Sequence, residues 1–229
     1  MNLSLPFVGR RGEAAQLRRL HAQRKHVLIA GPEGIGKSAL VAHLRGALPL
    51  IVCVSSGTLT EICENLETEL NVHAPPSPLV RRKNRLLQTL TEARQTTVFD
   101  GAGWATPKVS SFLECAMERA PVWICARSEG VRVNGHFRPL LARFEKVELR
   151  PFHFSETCAL LAAAVATGQV PPAVIPFARQ LHRLSGGLPL ALRELLDQFA
   201  AGHYDLSRRT GGQLLELDRR IKNLPPVMA

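Results

Sequence analysis

Short apolar runs alternate with stretches of helical periodicity over the first 150 residues. The runs are rich in β-branched and aromatic side chains, are largely apolar, and cover 26–30, 50–54, 96–100, 122–126 and 146–149. Between them, large apolar side chains recur every three or four residues, as on one face of a helix. Strands that lack an alternating polar face, and that are separated by helices, are typical of a parallel sheet covered on both faces. The pattern therefore predicts an α/β protein with a five-stranded parallel sheet.

After residue 150 the strand signals stop and only helical patterns remain. They cover about 155–167, 173–184, 188–202 and 213–223. Ser155 is predicted to cap the first of these helices, because a serine hydroxyl accepts a hydrogen bond from an unpaired amide of the first turn. We therefore predict two domains, an α/β core over 1–150 and a small all-helical domain over 151–229.

Composition and charge narrow the class of protein. The chain has 229 residues, of which 45% are hydrophobic and 21% charged, so disordered, fibrous and coiled-coil proteins are excluded. It carries a formal net charge of +10. Such a charge favours a polyanionic partner, although a solvated basic surface explains it equally well.

Cysteine usage and hydropathy indicate the compartment. The five cysteines form no CxxC pair, and three lie in apolar stretches, as expected of free thiols in a reducing cytoplasm. No basic segment followed by an apolar one opens the chain, and no apolar run approaches the roughly 18 residues of a spanning helix. We expect a cytoplasmic protein that is neither secreted nor embedded in a membrane.

The segment GPEGIGKS, residues 31–38, matches the phosphate-loop pattern GxxxxGK[ST]. It follows a predicted strand and opens a predicted helix, so a chance glycine-rich turn is the weaker interpretation. In such a loop backbone N–H groups surround the phosphates, Lys37 reaches the β and γ phosphates, and Ser38 binds Mg²⁺. ATP and Mg²⁺ are the predicted cofactors. The predicted nucleotide-binding residues are Gly31, Pro32, Glu33, Gly34, Ile35, Gly36, Lys37, Ser38 and Ala39.

Asp100 is the predicted second Mg²⁺ ligand. It ends an apolar strand, and a Mg²⁺-phosphate site uses carboxylate oxygen from a neighbouring strand end. The alternative is a carboxylate that only caps the turn after the strand.

At this point the sequence resembles the AAA+ and STAND ATPases over most of its length. Phe7-Val8-Gly9-Arg10 is similar to their VGR segment, which implies that Val8 and Arg10 lie beside the adenine. Ile124-Cys125-Ala126-Arg127 is similar to the sensor-1 strand, which implies that Arg127 lies at the γ-phosphate. Residues 147–152, followed by Ser155-Glu156, resemble the segment that leads into the helical lid.

The same resemblance bears on hydrolysis. Gly101 stands where hydrolysing relatives usually carry a second acid that orients the attacking water. Either ATP hydrolysis is slow, or Glu33, Glu129 or a partner positions the water.

Two further segments resemble different branches of this family. Residues 186–192, GGLPLAL, are similar to the STAND lid motif, with Pro189 near the adenine where many AAA+ proteins carry a sensor-2 arginine; Arg193 could replace it. Residues 137–144, FRPLLARF, are similar to the SRF segment of replication initiators and clamp loaders. This implies that Arg143, or secondly Arg138, reaches the nucleotide of a neighbouring subunit. An arginine that covers an apolar surface with its stem is the alternative.

A dense basic cluster precedes the helical pattern at 86–90. It consists of Arg81, Arg82, Lys83 and Arg85. A solvated face is the usual explanation of such a run, but cations are disfavoured at a helix start, which makes a contact with a nucleic-acid backbone more attractive.

Three functions remain in competition. The first is a slow ATPase of the AAA+ class that forms homo-oligomers with ATP and binds double-stranded DNA without sequence specificity, as a recruitment or assembly factor resembling transposon-targeting and replication-initiator-like ATPases. The second is a STAND-type switch whose ATP or ADP state is read by a partner protein. The third, a small-molecule kinase, leaves the VGR, sensor-1 and lid segments without a role.

Overall fold

The computed structural model describes residues 5–54, 57–72, 75, 77–101, 106–127 and 138–201, with the side chains of Arg138 and Pro139 left out. Glu129 and the helix predicted over 213–223 lie outside the described residues. Within the described part of the chain, no helix is both long enough and apolar enough to cross a membrane.

The five predicted strands form one parallel sheet. The strands are β1 (Val27–Ala30), β2 (Leu50–Cys53), β3 (Thr96–Phe99), β4 (Val122–Ala126) and β5 (Glu145–Glu148). Their order across the sheet is β2-β3-β4-β1-β5. Every residue of β1, β3 and β4 is buried, so both faces of the central strands are covered. The predicted α/β class is confirmed.

Helices connect the strands, and most lie where the periodicity predicts them. In the sheet-containing part they are α1 (Arg11–Ala22), α2 (Lys37–Arg45), α3 (Leu59–Glu69), α4 (Leu79–Ala93), α5 (Pro107–Met117) and α6 (Arg138–Leu141). Threonine caps begin two of them, because the Thr58 and Thr106 hydroxyls accept hydrogen bonds from backbone N–H groups of α3 and α5.

One apolar core fills the space between the sheet and helices α3, α4 and α5. Its fully buried side chains include Leu66, Leu86, Leu90 and Phe112. Burial of each side chain of this size contributes about 1.5–3 kcal/mol. The periodicity that predicted these helices is therefore the pattern of their packing against the sheet.

The remaining helices are α7 (Phe154–Ala166), a 3₁₀ helix (Pro172–Phe177), α8 (Ala178–Ser185) and α9 (Pro189–Ala200). Two local predictions were wrong. The single helix expected over 173–184 is divided, because Pro176 has no N–H to donate and a 3₁₀ segment replaces the first turns. Ser155 is not a cap: α7 begins one residue earlier, and the Glu156 carboxylate accepts the N–H of the N-cap residue His153 at 2.9 Å.

The described residues divide into two compact units. The sheet unit comprises the described parts of Arg10–Glu33 and Lys37–Leu149. The helical unit comprises the described parts of Met1–Gly9, Gly34–Gly36 and Arg150–Ala229. The helical unit has its own apolar core, formed by α7, α8 and α9 with the 3₁₀ segment.

Glycine is required at position 187, where two backbone segments of the helical unit come close together. Its φ of +71° lies in the left-handed region, and a Cβ there would lie 2.6 Å from the Phe152 carbonyl oxygen. The Phe152 N–H in turn donates to the Gly187 carbonyl at 2.8 Å. The second glycine of GGLPLAL thus lets two backbone segments meet.

We expect Gly187→Ala to destabilise the protein by about 2 kcal/mol or more, because a left-handed backbone strains any Cβ and the Phe152 carbonyl must also move. Gly168→Ala is the matched control, since Gly168 has a φ of +70° but no atom within 4 Å of a Cβ. It should cost only the conformational strain, about 1–2 kcal/mol. Urea-denaturation midpoints measure both; equal losses would show that the close approach to Phe152 is unimportant.

Candidate nucleotide-binding site

The phosphate loop joins the carboxyl end of β1 to the start of α2. Gly31 directly follows the strand and is buried, and α2 begins at Lys37. Gly34 and Gly36 have φ values of +74° and +94°, which non-glycine residues rarely adopt. This is the strand-loop-helix arrangement that places backbone N–H groups and a helix N-terminus around a phosphate.

The Lys37 ammonium spans its own loop. Its Nζ donates to the carbonyl oxygens of Gly31 and Pro32, both at 2.9 Å. Burial lowers the pKa of Lys37 and the nearby Arg127 lowers it further, while the Asp100 and Glu33 carboxylates oppose this shift. Groups predicted from three separate segments of the sequence, the phosphate loop, Asp100 and Arg127, are therefore electrostatic neighbours in the structure.

Asp100 lies beside the phosphate loop because of the strand order. Its N–H donates to the Cys53 carbonyl at 2.9 Å, which fixes the residue just beyond the end of β3. Ser38 is exposed in the first turn of α2. A hydroxyl and a carboxylate are the hard oxygen donors that Mg²⁺ prefers, so the residues present fit this ion.

Cys125 is a site residue that sequence reasoning missed. It is buried at the carboxyl end of β4, and its thiol hydrogen-bonds with Asp100. Burial raises the pKa of Cys125 well above its ordinary value, and the neighbouring Asp100 raises it further, so the thiol stays neutral and donates to the carboxylate. In the sequence this cysteine is one member of an apolar strand, and nothing there indicates its partner.

Arg127, the sensor-1 candidate, forms an ion pair with Glu33 of the phosphate loop. Arg127 Nη2 lies 2.8 Å from Glu33 Oε2, and both side chains are more than half exposed. An exposed pair contributes about 0–1 kcal/mol, so a phosphate can displace Glu33 from the arginine at little cost.

The GGLPLAL motif contacts the loop residues that belong to the helical unit. The Leu190 N–H donates to the Gly34 carbonyl at 3.1 Å, and a Cβ at Gly34 would lie 2.8 Å from the Leu190 Cβ. Pro189 begins α9, and its Cγ lies 3.9 Å from where a Cβ at Gly36 would be. Leu190 was not among the predicted site residues, although its place next to Pro189 in the motif was a usable signal.

The residues of the VGR segment make different contacts. Val8 packs against the apolar core of the helical unit, and Gly9 adopts a φ of +77° close to the Glu156 carboxylate. Arg10 is only 4% exposed and forms an ion pair with Glu13 at 3.0 Å. Arg10 therefore anchors the start of α1, while the contacts of Val8 and Arg10 with adenine remain predictions.

Arg143 lies at the opposite edge of the sheet. It is exposed two residues before β5, and it contributes, after burial, to lowering the pKa of His26, which precedes β1. The phosphate loop follows the other end of β1, about 13 Å further along the strand. Arg143 is therefore remote from the phosphate loop of its own chain.

In α9, Arg193 is half-buried, and its Nε has no hydrogen-bond partner among the described residues.

The basic cluster at the start of α4 is partly engaged in the fold. Arg82 forms a two-bonded ion pair with Glu67 of α3, at 2.9 and 2.6 Å, which raises the pKa of Arg82 and lowers that of Glu67. Arg85 donates to the Ser77 hydroxyl at 3.4 Å. Arg81 is exposed and Lys83 half-buried. Two of the four predicted nucleic-acid contacts thus hold neighbouring parts of the protein.

The sequence matches no protein-family model and no curated protein. Its structure is similar to solved AAA+ and STAND proteins at low identity. The Orc1 protein of Aeropyrum pernix, solved in complex with DNA, is 16% identical with a TM-score of 0.63, covering 96% of this chain and 70% of that one. Cdc6p of Pyrobaculum aerophilum is 15% identical with a TM-score of 0.69, covering 88% of this chain and 63% of that one.

A STAND protein with a tetratricopeptide-repeat sensor, from Pyrococcus horikoshii, is 16% identical with a TM-score of 0.54. The similarity covers 98% of this chain and 34% of that one, so this chain spans about a third of its length. The chain therefore has the fold of the AAA+ P-loop ATPases.

We expect Lys37→Ala to abolish binding of ATP and ADP, because no other group in the loop supplies the ammonium that meets the phosphates. Lys108→Ala, which removes an exposed lysine at the start of α5, is the control and should bind normally. Isothermal titration calorimetry measures both. Micromolar affinity in the Lys37→Ala variant would refute the phosphate-loop assignment.

Proposed function

We propose that the protein is an ATPase of the AAA+ class that binds ATP with Mg²⁺, forms homo-oligomers in an ATP-dependent way, and assembles on double-stranded DNA as a recruitment or assembly factor. The observation that carries this proposal is the neighbourhood of Lys37, Asp100, Arg127 and Glu33 at one edge of the sheet. Residues 1–150 supply the nucleotide-binding core in this proposal, and 151–229 supply the lid.

The phosphate loop and its neighbours bind the nucleotide. The loop N–H groups and Lys37 hold the phosphates, and Ser38 and Asp100 hold Mg²⁺, which neutralises charge on the phosphate oxygens when it is bound. The Cys125 thiol keeps the Asp100 carboxylate oriented. Arg127 exchanges Glu33 for the γ-phosphate and so distinguishes ATP from ADP.

Turnover is slow in this proposal. Gly101 has no side chain to orient water, and Glu33, the acid that stands closest in sequence to Lys37, is paired with Arg127. An ATPase that hydrolyses slowly remains in its triphosphate state long enough for an assembly to persist.

Arg143 completes the site of a neighbouring subunit. Its distance from its own phosphate loop excludes a role in the same chain, and its exposure at the start of β5 makes the guanidinium accessible to another copy. ATP bound to one subunit then stabilises the contact with the next.

A net charge of +10 supports DNA as the second partner, through phosphate contacts that carry no sequence information. Within the basic cluster, exposed Arg81 and half-buried Lys83 are the residues whose charges remain available to such a contact. Arg82 contributes less in this proposal, because the Glu67 carboxylate already pairs with it.

A STAND-type switch is the second candidate function. It is favoured by the hydrogen bond from Leu190 in the GGLPLAL motif to Gly34 of the phosphate loop, through which the helical unit would respond to the nucleotide. In this alternative a partner protein reads the ATP or ADP state.

Particle size distinguishes the two candidates. Light scattering or electron microscopy is carried out with ADP and with a non-hydrolysable ATP analogue, each with and without duplex DNA. We expect rings or filaments only when the analogue and DNA are both present. A monomer under all four conditions would reject the assembly function and favour the switch.

We expect Arg143→Ala to reduce both the ATPase rate and the assembly while leaving the ATP affinity of the single subunit unchanged, because the arginine acts on a neighbour. Lys146→Ala is the control, since it removes an exposed positive charge from the adjoining strand β5. Turnover assays, particle size and calorimetry are compared. Full activity and assembly in Arg143→Ala would contradict the role in a neighbouring site.

A further inference from the structure

Exposed basic residues precede three adjacent strands at the amino edge of the sheet. Arg94 lies before β3, Arg119 before β4, and Arg24 and Lys25 before β1, and all four are exposed. The strand order places β3, β4 and β1 side by side. Neighbouring strands lie about 4.8 Å apart, so the four residues occupy a row about 10 Å long at the backbone. We call them the amino-edge basic surface.

Hydrogen bonds hold the segments of this surface together. Arg24 Nη1 donates to the Arg94 carbonyl at 3.3 Å, joining the segments before β1 and β3. The Trp123 indole N–H donates to the Lys25 carbonyl at 3.3 Å, and the Val122 N–H donates to His26 Nδ1 at 3.1 Å, which joins β4 to the segment before β1. The cations are therefore presented from a fixed backbone and not from a flexible tail.

Their charges are not neutralised within the described part of the chain. None of the ion pairs formed by the described residues includes any of the four, whereas Arg10, Arg45, Arg82 and Arg127 each have a carboxylate partner. Arg119 Nη1 donates to the Cys115 carbonyl at 3.0 Å, a contact that orients the guanidinium without cancelling its charge.

The acidic residues at this edge are fewer than the basic ones. Glu92, Glu118 and Glu145 are exposed there, against the four cations and Arg143 at the β5 end of the row. In α1, which leads into this edge, Arg18 and Arg19 are exposed as well. The edge is thus strongly positive.

We propose that the amino-edge basic surface binds the phosphate backbone of double-stranded DNA. The proposal rests on the DNA-binding part of the proposed function and assigns it a surface. Duplex DNA carries one negative charge per about 1.7 Å of its axis, so a 10 Å row faces roughly six phosphate charges. Three of the four residues are arginines, whose planar guanidinium groups suit phosphate oxygens.

The basic cluster at the start of α4 is spatially separate. Arg94 follows the end of α4, and Arg81 and Lys83 lie in its first two turns, so the 15-residue helix places about 20 Å between them. Charge removal at the two ends of α4 can therefore be compared directly.

The experiment compares two double variants of equal net charge. Arg94→Gln with Arg119→Gln removes two charges from the amino edge, and Arg81→Gln with Lys83→Gln removes two from the start of α4. Fluorescence anisotropy with a labelled duplex, in the presence of the non-hydrolysable ATP analogue, gives the affinity between 50 and 200 mM salt. Nucleotide affinity, measured by calorimetry, shows that each variant is folded.

We expect the amino-edge variant to bind DNA more weakly, with a salt slope smaller by about 0.9 for each lost contact, about 1.8 in all. Between 50 and 200 mM salt, the fold-loss of DNA affinity should therefore be about twelve times smaller for this variant than for the wild type. Adding Arg24→Gln and Lys25→Gln should reduce the slope by about 1.8 again. The α4 variant should retain the wild-type slope.

Three outcomes would overturn the inference. Loss of binding in the α4 variant alone would place DNA on the basic cluster at the start of α4. The surface assignment would then be wrong, while the DNA-binding part of the proposed function would stand. Equal losses in both double variants would show that net charge, and not a surface, controls binding. A wild-type protein that binds no DNA would reject the DNA part of the proposed function as well.

Discussion

The parallel pairing of β1 between β4 and β5 is the constraint on which the rest of the structure depends. Parallel pairing in the order β3-β4-β1 brings the carboxyl ends of these strands to one edge, so the phosphate loop, Asp100 and Arg127 become neighbours although they are far apart in the sequence. The apolar side chains on both buried faces of these strands provide the free energy for this pairing. The chemistry of the site is thus a consequence of packing.

The two edges of the sheet differ in their electrostatics. At the carboxyl edge, Lys37 and Arg127 face Glu33 and Asp100, so positive and negative groups are balanced before a nucleotide arrives. At the amino edge, exposed arginines and lysines outnumber the carboxylates. A balanced edge can exchange its internal partners for the phosphates of a nucleotide, whereas an edge with unbalanced positive charge attracts a polyanion from solution.

Local backbone geometry joins the segment Gly34–Gly36 to the rest of the helical unit. Gly34, Gly36 and Gly187 adopt left-handed conformations, and a Cβ at Gly34 or Gly187 would overlap Leu190 or the Phe152 carbonyl. Close approach between backbone segments therefore depends on glycine at these positions. Leu190 extends the contact with a hydrogen bond to Gly34, which gives the GGLPLAL motif a structural role beyond beginning a helix.

The sequence by itself determined the five strands, most of the helices and the phosphate loop, because each depends on local periodicity or on a short motif of glycine, lysine and serine. The sequence misplaced the cap of α7, where Glu156 and not Ser155 accepts the N-cap hydrogen bond. It also predicted one continuous helix across Pro176, which has no N–H to donate. Only the tertiary structure decided that Cys125 donates to Asp100, that Arg127 pairs with Glu33, that Arg82 is held by Glu67, and that the cations before β3, β4 and β1 form one row. These contacts join residues on different elements, and the order in which strands pair is set by burial of the whole sheet and not by any local pattern.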